Sequence, residues 1–382
     1  MIRVTCTAAF LIMWLAPGGA LAQDIHPDQN LIPGSQDAIV VKAEDGAHAA
    51  PRVTEALVNF EVSRDIGSLD GPINTIFGNI EDIKTGGDGS IWTLDGRLNQ
   101  VRKYEGGSTP VFSFGRPGHG PLEFMRPEAL AILSNGEIAV LDPGRLEIKF
   151  FSIQDTTAEH LKTIRHGIPM ASMCGMGSDV YIRGVPPVGK RDKYSRNTNV
   201  AFEEIPSVIV YNRDAGKITQ FGDVYETDDP ALRLQLTEGP IACFAESESI
   251  IASMGGTSFI YAYSARGQRK WVAKLDGLKP TVVEKTDRAT TFRSGSQPND
   301  RVLSIVNLGG GYALIQSRHR TPKVAKEGKL YEYLDSFVID VESGEGTHIG
   351  NELPLIYEYD AGTAYSYSTV PYPKLSILNS ED

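Results

Sequence analysis

The chain has 382 residues, with 37 Lys and Arg against 48 Asp and Glu, and a formal charge of -11. That acidic balance argues against a nucleic-acid partner, whose phosphates call for basic faces. It names no other partner, being an ordinary solubility balance, and beyond the first residues no stretch approaches the ~18 apolar residues of a membrane-spanning helix.

The chain opens with Arg3, an apolar run and an Ala20-Leu21-Ala22 exit. That is the order of parts in a secretory signal peptide, expected over residues 1–22. Cys6 lies inside it, and the small-residue context of a lipoprotein does not follow. The mature chain, with a charge of -12 once Arg3 is gone, is therefore expected in a bacterial periplasm or the medium, with no membrane span. Residues 23–51 are rich in Asp, Gly, Ala and Pro and read as an extended leader, partly disordered. From Arg52, the run ALVNFEVSRD reads as a strand with no partner in its own neighbourhood.

The stretch from Phe114 to Asp142 is a connection, a strand, a tight turn and a second strand. Its last part, GEIAVLD from Gly136, echoes GSIWTLD from Gly89, 47 residues earlier. The same small-residue turn and β-rich run recur at Ser178, Glu248, Gly310 and Gly362, which makes six units. Each is preceded by one apolar or alternating segment and followed by another, the signature of strands. Six repeats of this size predict one all-β domain over residues 52–382: a six-bladed β-propeller of four-stranded antiparallel blades. The last unit lacks an outermost strand, so the N-terminal strand is expected to complete it and close the ring.

Spacing between the marker turns is uneven, at 47, 42, 70, 62 and 52 residues. Turns alternate sides in a meander, and those after the first and third strands are tight throughout. The long insertions, 184–206, 223–238, 276–300 and 319–335, all fall in the class that shares the opposite face. One-sided elaboration predicts that this face binds, although neutral insertions would also collect where they do least harm. Cys174 and Cys243 fall in the innermost strands of neighbouring units. Export permits a disulfide there, but two buried thiols would fit as well.

The first two units resemble blades of the NHL type. Gly120-Pro121-Leu122-Glu123-Phe124-Met125-Arg126-Pro127 gives the lead, followed by the turn at Gly136, then Asp142, Arg145 and Phe150. Unit one repeats the pattern at Gly89, Asp95, Arg97 and Tyr104. The chain thus resembles bacterial exported six-bladed β-propellers of the NHL-like superfamily, specifically over residues 71–152 and as a pattern beyond. In such blades the Asp caps the corner after its strand, and Asp bonds readily to backbone a little way on.

Two enzyme types share that fold. The peptidyl-hydroxyglycine lyase holds zinc through histidines at inner-strand starts, whose equivalents here, near Glu81, Glu128 and Ala171, are not His. The gluconolactonase group holds a divalent ion that polarises a lactone carbonyl. Glu81 and Glu128 occupy matching inner-strand starts and are the metal candidates for that alternative, with calcium or zinc as the ion. No complete catalytic set appears, and no Gly-x-Ser-x-Gly elbow.

The elaborated face also gathers arginines in a chain that is acidic overall. Arg116, Arg126, Arg183, Arg318 and Arg320 are the main ligand candidates, because guanidinium forks match carboxylates and phosphates. Glu128, His119 and His319 fall beside them, though solvated loop charge and ordinary histidine packing are the plainer alternatives. The leading expectation is a binding module, monomeric and without cofactor, for an anionic small molecule, glycan or protein segment. The alternative is the metal-dependent lactonase-type hydrolase or lyase.

Overall fold

A computed structural model describes residues 23–42, 51–168, 170–185, 204–280, 282–285, 290–292, 299–327 and 331–380. The expected signal peptide lies outside them, as does most of the 184–206 insertion. Six antiparallel sheets of four strands stand around a channel. Their innermost strands are Ile80–Thr85, Ala129–Ile132, Met170–Met176, Ile241–Phe244, Asn299–Gly309 and Ile356–Asp360. Each packs on the next, and the sixth on the first. We number the blades in that order.

The ring closes as the sequence predicts. Phe60–Ile66 pairs antiparallel with Lys374–Ser380, so the N-terminal strand is the outer edge of blade six. No sheet edge is left open at that seam. Two features differ from expectation. Pro51–Val58 is an α-helix rather than the beginning of the strand. Its Leu57 is fully buried against Val306, Leu308 and Leu378, so a helical turn seats a side chain that strand alternation would not. The leader, too, is tied down. Gln23–Ile25 pairs with Val283–Lys285, and Ile39–Val41 adds as a fifth, parallel strand beside Arg269–Leu275 of blade four. Ile32 and Val41 are buried there; two apolar residues in a polar segment suffice to dock it.

The Gly-Pro-x-x-Phe lead acts as a wedge. Phe124 is fully buried between Phe114 of blade one and Phe151 of blade two, with ring centroids at 6.4 and 5.9 Å. Gly115 admits it, with φ of 100° and no room for a Cβ, which would lie 2.8 Å from the Phe124 ring.

The aspartates ending the second strands reach further than a corner cap. Asp95 accepts from Leu98 N at 2.9 Å, as a cap does, and also from Gly78 N at 2.7 Å and Asn79 N at 3.1 Å. Asp142 likewise accepts from Met125 N and Arg126 N. Both carboxylates are fully buried, and each latches the link that enters its blade to the corner that leaves the second strand. Replacing Asp95 by Ala strands three N–H groups and is expected to cost on the order of 3 kcal/mol in a urea melt. A cost below ~1 kcal/mol would show that water or a neighbour replaces the carboxylate and that the latch is dispensable.

Links between neighbouring blades are specific. Asp82 of blade one pairs with Lys84 at 2.8 Å and accepts from Leu130 N of blade two at 2.8 Å. Lys84 reaches Glu358 of blade six at 3.3 Å. Gln316 of blade five bonds Ile356 N and Pro354 O at the entrance to blade six. Cys174 and Cys243 form a disulfide between blades three and four, with Cα atoms 5.6 Å apart, which decides between the two readings of that pair.

Candidate functional site at the channel mouth

Inner-strand starts from all six blades converge on one cavity of about 460 Å³ at the channel mouth. Blade one contributes Glu81, blade two Glu128 and blade three Ser172; Glu238 precedes blade four. Blade five contributes Arg301 and Arg318, and blade six Leu355 and Tyr357. Tyr331 lies over it from the loop within blade five. These positions share the face that carries the long insertions, as the alternation of turns requires.

Blade five dominates the basic side because its inner hairpin is long. Its strands, Asn299–Gly309 and Tyr312–Arg320, run 11 and 9 residues. Residues 319 and 320, expected in a loop, continue the second of them. In register, Arg301 is the direct cross-strand partner of Arg318. Like charges so placed repel. Arg301 is compensated by Glu238 at 2.7 Å. Arg318 has no carboxylate or hydrogen-bond partner among the described residues, and its Nε is buried. Burial first, then Arg301 and Arg320, hold its guanidinium below the ordinary range; it remains a cation at neutral pH, under strain from lost hydration.

The acidic side is built from two carboxyls. Asn79 Nδ2 donates to Glu81 Oε1 at 2.6 Å, and Arg126 Nε approaches Glu128 Oε1 at 2.8 Å. Burial is the chief cause that pushes both carboxyls above the usual range, and each is raised further by neighbouring acids, Glu128 by Glu81 among them. Below the mouth, the Asp82, Lys84 and Glu358 group sets the next layer of the channel.

The expected ligand residues separate into two groups. Glu81, Glu128 and Arg318 meet in the cavity, and Arg126 pairs with Glu128 without lining it. Arg320 acts on Arg318 through its charge without lining the cavity. Arg116 pairs with Glu123 at 2.7 Å, and His119 lies against Arg145, both in the link between blades one and two and away from the mouth. His319 turns the other way along its strand, with Nδ1 2.7 Å from Asp300 Oδ1 and its ring stacked on Tyr333.

Arg183 corrects the expectation most sharply. It belongs to the second strand of blade three, is 2% exposed, and donates to Thr237 O at 2.8 Å and Ser253 O at 3.0 Å. Its terminal NH groups are spent on backbone oxygens inside the protein, while its Nε is buried without a partner among the described residues, and burial lowers its basicity.

The lactonase-type ion fits poorly. Glu81 and Glu128 do share the cavity, but among the described residues no three His, Cys, Asp or Glu side chains converge on a point where a metal could sit. Glu128 is also already engaged by Arg126, and a hard divalent ion seeks more oxygens than this pair supplies.

Arg301 and Glu238 were within reach of the sequence but were missed. The rule that selects Glu81 and Glu128, polar residues at inner-strand starts, picks out both when applied to blades four and five.

No protein-family model matches the chain, and no curated protein matches it. Solved structures do. A protein from Bacteroides fragilis classed as exported is 9% identical, with TM-score 0.53, over 90% of this chain and all of that one. A member of the DUF4221 family from Bacteroides vulgatus is 9% identical, with TM-score 0.51, over 85% of this chain and 99% of that one. Virginiamycin B lyase from Staphylococcus aureus is more distant, 11% identical with TM-score 0.46 over 84% of this chain and 99% of that one. Identities this low speak to architecture alone. The chain shares the six-bladed β-propeller fold of these Bacteroides proteins.

Proposed function

We propose that the protein is an exported binding module that takes an anionic ligand at the channel mouth. Arg318 carries the reading. A desolvated guanidinium facing a second arginine across the hairpin is costly to hold, and a ligand carboxylate, phosphate or sulfate would relieve it with two parallel hydrogen bonds. Export rests on the signal-like N-terminus and on one structural neighbour classed as exported. No helix among the described residues is long and apolar enough to cross a membrane.

The test is a thermal-shift screen of purified mature protein with sulfate, phosphate, acetate, citrate and uronic acids at fixed ionic strength. Ligands that bind only the native state raise the melting temperature in proportion to the logarithm of their saturation. At least one anion is expected to do so beyond a chloride control, and none doing so would overturn the proposal. The pH dependence has a definite sign. Glu81 and Glu128 take up protons above the usual carboxylate range, so lowering the pH into the weakly acid range removes their repulsion. Sulfate, which stays ionised there, should bind more tightly as pH falls. By the same linkage, the stability these two carboxyls contribute is present below the ordinary carboxylate value and lost as pH rises through their raised values.

A further inference from the structure

Opposed charges at the mouth say more than that an anion binds, and this inference rests on that reading. In a ring of six, blade two faces blade five across the channel, and blade one faces blade four. Glu81 and Glu128, from blades one and two, therefore form the wall facing Arg318 of blade five. Arg301 is not the missing partner of either carboxylate, because it is held by Glu238.

Each carboxyl on the acidic wall uses one oxygen. Asn79 takes Glu81 Oε1 and Arg126 takes Glu128 Oε1. The second oxygen of each has no hydrogen-bond partner among the described residues, although both side chains line the cavity. A ligand that was only an anion would meet these carboxylates as repulsion. A neutral glycan would leave Arg318 and Glu81 without counter-charge and Glu128 with Arg126 alone. A metal would find no third His, Cys, Asp or Glu among the described residues. An ammonium group satisfies two acceptor oxygens at once, with a full positive charge and three donors. Tyr331 and Tyr357, whose hydroxyls have no partner among the described residues, border the space between the two walls.

We propose that the ligand is a zwitterion of the amino-acid or short-peptide class. Its carboxylate meets Arg318, and its ammonium lies between Glu81 and Glu128 across the channel mouth. Specificity then comes from length: the two charged ends must match the span between blades two and five, and shorter molecules reach one wall only.

Isothermal titration of the mature protein with linear ω-amino acids of increasing length, from glycine upward, and with diglycine and triglycine tests this. Carboxylates and amines of matched length serve as single-charge controls. One length is expected to bind about tenfold or more tightly than either control. Glu128→Gln, nearly isosteric and checked for an unchanged melt, should remove that preference while leaving carboxylate binding in place. If the carboxylate controls bind as well as every zwitterion, or Glu128→Gln tightens all of them, the zwitterion is refuted and the anion site stands. If no probe binds and none of the screened anions does either, both readings fall. If the anions bind but no zwitterion does, this inference alone is overturned.

Discussion

Arg318→Met is expected to lower affinity for the best anionic ligand by about tenfold to a hundredfold, the loss of a charged hydrogen-bonded pair worth about 1.5–3 kcal/mol. Methionine keeps the length and apolar contacts of the arginine stem while removing its charge. The substitution should not weaken the fold. Arg318 stands directly opposite Arg301 with no compensating acid of its own, so removing it relieves repulsion within the hairpin, and the unliganded melting temperature should hold or rise. Lower affinity with equal or greater stability is the mark of a binding residue held at a cost. Lower stability together with lower affinity would mean that Arg318 braces the hairpin, and unchanged affinity would remove it from the site. Arg183→Met supplies the contrast: its guanidinium holds Thr237 O and Ser253 O, so its loss should reduce stability first.

The contrast between these two arginines shows where sequence reading stops. Blade number and ring closure by Phe60–Ile66 were legible, because turn residues and period-2 alternation are local signals. So was the meeting of Glu81 and Glu128 in one cavity, the first being second in Ile80–Thr85 and the other standing just before Ala129–Ile132. Which way an arginine points was not. Arg318 and Arg183 both lie in second strands and both precede long insertions, but one reaches the channel and the other lies between blades three and four. A one-residue difference in register reverses that outcome. The pairing of Arg301 with Arg318 was hidden for the same reason, since it needs the hairpin's register rather than its existence. The pairing of Ile39–Val41 was hidden because a three-residue parallel strand leaves no turn beside it and too few residues for periodicity to register. Pro51–Val58 was misread because Val53, Leu57 and Val58 suit either period over so short a run.

Replacing Cys174 and Cys243 together by Ser should destabilise the protein by about 4 kcal/mol, the chain-entropy value for a loop of this length. The melting temperature should fall by roughly 6 °C, and reducing the native disulfide should do the same. The position of the bond supports a large effect. It closes a separation of 69 residues, over much the same stretch that gives the widest marker spacing, the 70 residues from Ser178 to Glu248. Closing a longer loop costs more entropy, and this seam must hold blade four against blade three, whose innermost strands stand farther apart in the chain than those of any other consecutive pair of blades. Elsewhere hydrogen bonds and ion pairs perform that task, as between Gln316 and Ile356 N or between Lys84 and Glu358. The bond joins inner strands deeper in the channel than the mouth residues, so the double Ser variant should bind the same anion with unchanged affinity below its melting temperature. A change under ~1 kcal/mol would show that packing alone holds the seam. Lost affinity in a folded variant would show instead that the bond sets the geometry of the mouth, because only a ring tightened between blades three and four would then bring Arg318 and Glu128 to their working separation.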